Sequence, residues 1–95
     1  MPEYLETLIK DPNAKKDYTI DWSDWLVGDT IQDSAWTVAT GLTQSGSPAP
    51  TFANTTTTIW LEGGTAGQNY DVLNRITTAA GRIDDRTFRV LVRQQ

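Results

Sequence analysis

Apolar and polar residues alternate most cleanly in the last quarter of the chain. Tyr70, Val72 and Ile76 fall on one face at period two, with polar Asn74 in the same phase and Asp71, Arg75 and Thr77 opposite. Beyond Ala79-Ala80-Gly81-Arg82, Phe88, Val90 and Val92 alternate with Thr87, Arg89 and Arg93, leaving Leu91 as the one apolar exception. Two such runs around a glycine turn predict a β-hairpin with one buried and one wet face. Upstream, Tyr18, Ile20 and Trp22 alternate with Thr19, Asp21 and Ser23, which predicts a half-buried strand ending in a turn at Trp25-Leu26 and Gly28-Asp29. Ile31 and Trp36-Thr37-Val38 predict a short strand interrupted at Asp33-Ser34. The β-branched run from Thr55 to Leu61 predicts another. Residues 41–51, with Ser45-Gly46-Ser47-Pro48-Ala49-Pro50, read as a loop too polar and proline-broken to pack.

Six or seven short strands with no helix between them argue for an all-β, antiparallel sandwich. An aromatic at the start of the penultimate strand, just after the glycine-rich turn at residues 62–67, is how immunoglobulin-like sandwiches close. The expected core is Tyr18, Ile20, Trp22, Trp36, Val38, Tyr70, Val72, Ile76, Phe88, Val90 and Val92. Residues 17–95 form this sandwich, and residues 1–16 are expected to be an N-terminal arm. In the arm Tyr4, Leu5, Leu8 and Ile9 have helical spacing, but Pro12 stops the pattern, and so short a peptide does not hold a helix alone. The arm carries apolar surface worth burying on a neighbouring protein.

With 95 residues there is room for one domain. The chain has no Cys and no His, which removes disulfides, thiol nucleophiles, ordinary zinc sites and Ser-His-Asp triads. No apolar run reaches the ~18 residues of a membrane span. Acid at Glu3 and Glu6 stands where a signal peptide carries base. Ten acids against three bases in residues 1–71 contrast with two acids against five bases in residues 72–95, within a net charge of −4. An acidic chain of this kind is a poor general nucleic-acid binder. Arg75, Arg82, Arg86, Arg89 and Arg93 read as the solvated face of the hairpin, or as a surface that docks an acidic neighbour or another copy's acidic half.

Asp21, Asp24, Asp29, Asp33, Asp84 and Asp85 are the one acidic group with a conceivable calcium role, but they lack EF-hand spacing and aspartate is an ordinary turn residue. Paired carboxylates for glycoside hydrolysis need a cleft that so small a sandwich has little surface to build. Trp22, Trp25, Trp36 and Trp60 suggest a sugar-stacking platform at most. Trp22 is expected in the core, while Trp25 breaks its phase and is the better contact residue. The candidate partner-facing residues are therefore Tyr4, Leu5, Leu8, Ile9, Trp25, Arg75, Arg89 and Arg93, with no catalytic residue, metal or cofactor.

A longer pattern adds to this. Lys10-Asp11-Pro12-Asn13-Ala14, Asp17-Tyr18-Thr19-Ile20-Asp21-Trp22, Trp25-Leu26 and Gly28-Asp29-Thr30-Ile31 come first. Trp36-Thr37-Val38, Ala53-Asn54-Thr55-Thr56, Gly63-Gly64-Thr65-Ala66-Gly67, Asn74-Arg75-Ile76-Thr77-Thr78, Gly81-Arg82 and Asp84-Asp85-Arg86 follow. Together, over roughly residues 10–93, they resemble a family of small tailed-bacteriophage proteins, the fiber-tail adaptor proteins. The resemblance implies a non-enzymatic, immunoglobulin-like virion component, made in the host cytoplasm. It would bridge tail or neck to fibers, contact other virion proteins and stand in several copies. A capsid-surface or head–tail decoration protein is the alternative within that class, and a carbohydrate-binding module for host attachment is the alternative outside it.

Overall fold

The computed structural model describes residues 4–94, with side chains from residue 7 onward. Strands β1 (Tyr4–Lys10), β2 (Lys16–Asp21), β3 (Ile31–Val38), β4 (Leu42–Gln44), β5 (Thr51–Phe52), β6 (Thr56–Gly63), β7 (Asn69–Thr78) and β8 (Ile83–Val92) are joined by turns and one helical turn, α1 (Ser23–Leu26). They form two sheets. The first has the order β1-β8-β7-β3 and the second β2-β6-β4, with β5 also paired to β6. This is an all-β sandwich with immunoglobulin-like strand order: β3, β7 and β8 stand as C, F and G, and β2, β6 and β4 as B, E and D.

The predicted hairpin is present in full register, from Asn69 opposite Leu91 to Thr77 opposite Ile83. Every residue of the expected core packs into one cluster between the sheets, Trp36 and Val38 at its margin. The cluster also takes in Leu26, Ile31, Leu42, Ile59 and Leu61. Tyr70 opens β7, and its hydroxyl accepts a hydrogen bond from the backbone N–H of Thr65 at 2.9 Å, the corner that closes an immunoglobulin-like sandwich. The turn before it is tight: Gly64 sits at φ +93, and a Cβ there would lie 2.7 Å from a methyl of Val92.

At the other end of the core a polar network spans the sheets. The buried indole N–H of Trp22 is shared between Thr57 Oγ1 and Asn74 Oδ1, both at 3.2 Å. Thr57 donates its hydroxyl proton to Asn74 Oδ1 at 2.7 Å. Asn74 Nδ2 donates to Ser34 Oγ and to the Ala35 carbonyl, at 2.9 and 3.0 Å. The polar residue in the apolar phase of β7 is thus fully satisfied, as burial requires.

Four expectations are corrected. The segment read as an arm outside the domain is, over Tyr4–Lys10, an edge strand of the first sheet, and it runs parallel to β8. The first sheet is therefore mixed, whereas the second is antiparallel throughout. The reason lies in Leu8 and Lys10, which face inward, and in the fully buried Lys10 amine, which donates to the carbonyls of Gly63 and Asp11 at 2.7 and 2.9 Å. A lysine in an apolar slot hides the period-two signal. By pairing with β8, β1 covers backbone groups that would otherwise stand open at the sheet edge. The loop over residues 41–51 does pack: Leu42 enters the core, and the Ser45 N–H donates to the Trp60 carbonyl at 2.8 Å. Strand β3 runs unbroken through Asp33-Ser34, where an interruption was expected, and its register irregularity lies before them, between Ile31 and Asp33. Finally, Ser23–Leu26 form a short helix capped by Trp22, the Leu26 N–H donating back to the Trp22 carbonyl at 3.0 Å.

Candidate docking surface

The candidate contact residues separate onto two parts of the molecule. Register puts Arg75, Arg89 and Ile9 on the outer face of the first sheet, and Arg93 follows in the phase of Arg89 and Leu91. Arg75 lies opposite Asp85, Arg89 opposite Asp71, and Ile9 beside Leu91. Ile9 is 50 % exposed, whereas Leu8 faces the core. Tyr4 and Leu5 belong to β1, but their side chains lie outside the described residues, as do Met1 to Glu3 entirely.

Two of the three outer-face arginines, Arg75 and Arg89, meet acids of their own sheet. Arg75 is bidentate to Asp85, Nε–Oδ1 at 2.7 Å and Nη2–Oδ2 at 3.0 Å. The Arg75 hydrogen bond holds the Asp85 carboxyl below its ordinary range, and Asp85 raises Arg75 in turn. Arg89 Nε lies 3.0 Å from Asp71 Oδ1. Arg93 is exposed, and its Nη1 donates to the Val92 carbonyl at 3.0 Å. On this face the charges of the hairpin fold into opposed pairs, each strand supplying one member. Exposed pairs of this kind contribute little stability but fix which charge stands where.

Trp25 lies elsewhere, at the end of the sandwich formed by α1 and the β7–β8 turn. It is half-buried, edge-on to Trp22 at 5.8 Å, and covered by the Arg82 guanidinium 4.3 Å above its ring. Arg86 lies 4.4 Å over Trp22 and reaches the Asp21 carbonyl and the Asp24 carboxylate. Arg82 and Arg86 escaped the sequence reading as distinct residues because their partners lie more than fifty positions away. The four tryptophans share no common face: Trp22 is core, Trp36 lies edge-on to Phe88 at the core margin, Trp25 is beneath Arg82, and Trp60 is half-buried in the outward phase of β6. Among the described residues, no three His, Cys, Asp or Glu side chains gather to hold a metal ion, and no helix is long and apolar enough to cross a membrane.

The architecture defines a sandwich of the immunoglobulin-like class, whose sheet faces and loop ends are its surfaces. Residues 10–91 match the family described as podophage GP4 fiber-tail adaptor protein gp77. The chain belongs to this family of phage fiber-tail adaptors, which is a family of structural proteins and not an enzyme class. The match begins at the buried lysine that ends β1. No curated protein matches the chain.

Proposed function

We propose that this chain is a non-enzymatic virion component that bridges tail or neck to fibers, in several symmetry-related copies. The family match over residues 10–91 is the observation that carries this reading. An adaptor needs a rigid body with at least two separate surfaces. The fold offers the outer face of the first sheet, with Ile9, Arg75, Arg89 and Arg93, and the remote end around Trp25. On the sheet face, Arg89 and Asp71 stay 41 % and 45 % exposed, so an incoming protein surface can meet both. Alternating charge of that kind sets register more than affinity. The excess of acid over base makes proteins, not nucleic acid, the expected partners.

Quantitative densitometry of purified particles tests the assignment. An adaptor at the tail or neck occurs in a small multiple of three or six, whereas hundreds of copies per particle would move the protein to the capsid surface and overturn the bridge. Charge reversal, Arg89→Glu with Arg93→Glu, should lower incorporation into particles, most strongly at low salt where screening is least. Unchanged incorporation would remove the sheet face from the proposal.

A further inference from the structure

Four large apolar side chains stand exposed among the described residues, and three of them share one end of the sandwich. Val27 is 83 % exposed, Ile83 64 % and Phe52 46 %. Their places follow from register: Val27 ends the helical turn between β2 and β3, Ile83 opens β8 opposite Thr77, and Phe52 pairs with Thr57 near the start of β6. The fourth, Ile9, lies toward the opposite end, beside Leu91.

Val27 is also the one described residue other than glycine with positive φ, at φ 46 and ψ 66. A β-branched residue is strained there, and glycine would be at ease. The side chain returns nothing to the fold, being almost wholly in solvent. Strain of this kind persists only when its surroundings enforce it, and here they do. Arg82 Nη2 donates to the Leu26 carbonyl at 2.7 Å, and its Nε lies 3.2 Å from Asp29 Oδ2. The backbone N–H of Ala79 donates to the Thr30 carbonyl at 2.9 Å, and that of Ala80 to Asp29 Oδ1 at 3.3 Å. The segment bearing Val27 and the turn before Ile83 are therefore clamped into one body, so little conformational freedom is left to lose on binding.

Charge selects the occupant. Six aspartates in this half of the molecule, at positions 21, 24, 29, 33, 84 and 85, against Arg75, Arg82 and Arg86 leave three negative charges in excess. The Asp24 side chain is 78 % exposed. Two copies of this end would repel each other.

We propose that Val27, Ile83 and Phe52 form a docking tip, and that its occupant is another virion protein presenting an apolar hollow rimmed by Lys or Arg. Only the choice of a virion partner rests on the adaptor reading. The test places a photo-crosslinking benzoylphenylalanine at position 27, 83 or, as a control at the opposite end, 40, and irradiates assembled particles. Positions 27 and 83 should join a different virion protein through peptides containing Lys or Arg, and position 40 should not. Adducts to another copy of this chain, or none beyond the control, overturn the tip. Val27→Gly provides an independent arm, because it removes the side chain while relieving the strain. Combined with Ile83→Ser, it should keep the melting temperature of the parent yet lose incorporation about tenfold or more in competition with it. Equal incorporation overturns the tip and leaves the adaptor reading standing, whereas absence of the unmodified chain from purified virions overturns the adaptor reading itself.

Discussion

Asn74→Leu is the most direct probe of what joins the two sheets. Leucine has the branching and heavy-atom count of asparagine and is somewhat bulkier, so the change removes the polar groups without opening a cavity. Four hydrogen bonds disappear, two accepted from Trp22 and Thr57 and two donated to Ser34 and the Ala35 carbonyl. A hydrogen bond is worth about 1 kcal/mol net, and a buried group left without a partner costs about 1–3 kcal/mol. The Trp22 indole and Thr57 hydroxyl retain each other at 3.2 Å, and half-buried Ser34 can turn to solvent. The expected loss is therefore about 2–4 kcal/mol, a large share of the roughly 5–15 kcal/mol that holds a domain together. For a chain of this length that lowers Tm by on the order of 10–25 °C. Calorimetry and urea unfolding followed by tryptophan fluorescence would measure it. Adding Thr57→Val takes away the last partner of the buried Trp22 indole N–H, so the double variant should be less stable than the sum of the singles by about 1 kcal/mol. If Asn74→Leu melts with the parent, or the two changes simply add, the network is not what couples the sheets.

Two further outcomes follow from the core. The Tyr18 hydroxyl is buried 5.5 Å from Phe88, ring to ring, and finds no hydrogen-bond partner among the described residues, so Tyr18→Phe should raise stability by about 1 kcal/mol in urea titration. Burial first, and Asp17 second, push that phenol up to about 12. The unfolded chain gives up the proton near pH 10 while the folded one keeps it, so stability should fall as pH rises from about 10 through about 12, and Tyr18→Phe should flatten that limb. Gly64→Ala drives a Cβ to 2.7 Å from Val92 at a backbone angle that side chains rarely adopt, so it should cost about 2 kcal/mol or more in thermal melts, unlike Gly46→Ala, whose Cβ would meet nothing within 4 Å and whose backbone is not in the left-handed region.

The terminal hairpin was legible because both strands bury one face, so burial imprinted a strict period of two on Tyr70 to Ile76 and Phe88 to Val92. Even Asn74 could be placed inward by its phase alone. Strand β1 was not legible, since one of its inward positions is Lys10, whose amine is satisfied by the Gly63 carbonyl fifty-three residues away and by the carbonyl of its own neighbour. Strand β4 was lost among proline and serine because it contributes one core side chain, Leu42. The candidate site shows the same division. Sequence placed Arg75 and Arg89 on the outer face, but the clamps made by Arg82 and Arg86 join loops that only the fold brings together. The exposure of Val27 and Ile83 likewise carries no pattern, because single apolar residues in turns look alike whether they are covered or not.

The chain contains three lysines, close together in sequence, and the fold gives them opposite fates. Lys15 and Lys16 are exposed, while Lys10 is sealed beneath β1's own end, its amine lowered by burial against the pull of Asp11 and Glu62. To an amine-acylating reagent the folded protein is therefore a two-lysine molecule that becomes a three-lysine one when β1 lifts away. The ratio of label at Lys10 to label at its two neighbours is a chemical gauge of whether that edge strand stays on its own sheet, in free protein and in the assembled particle alike.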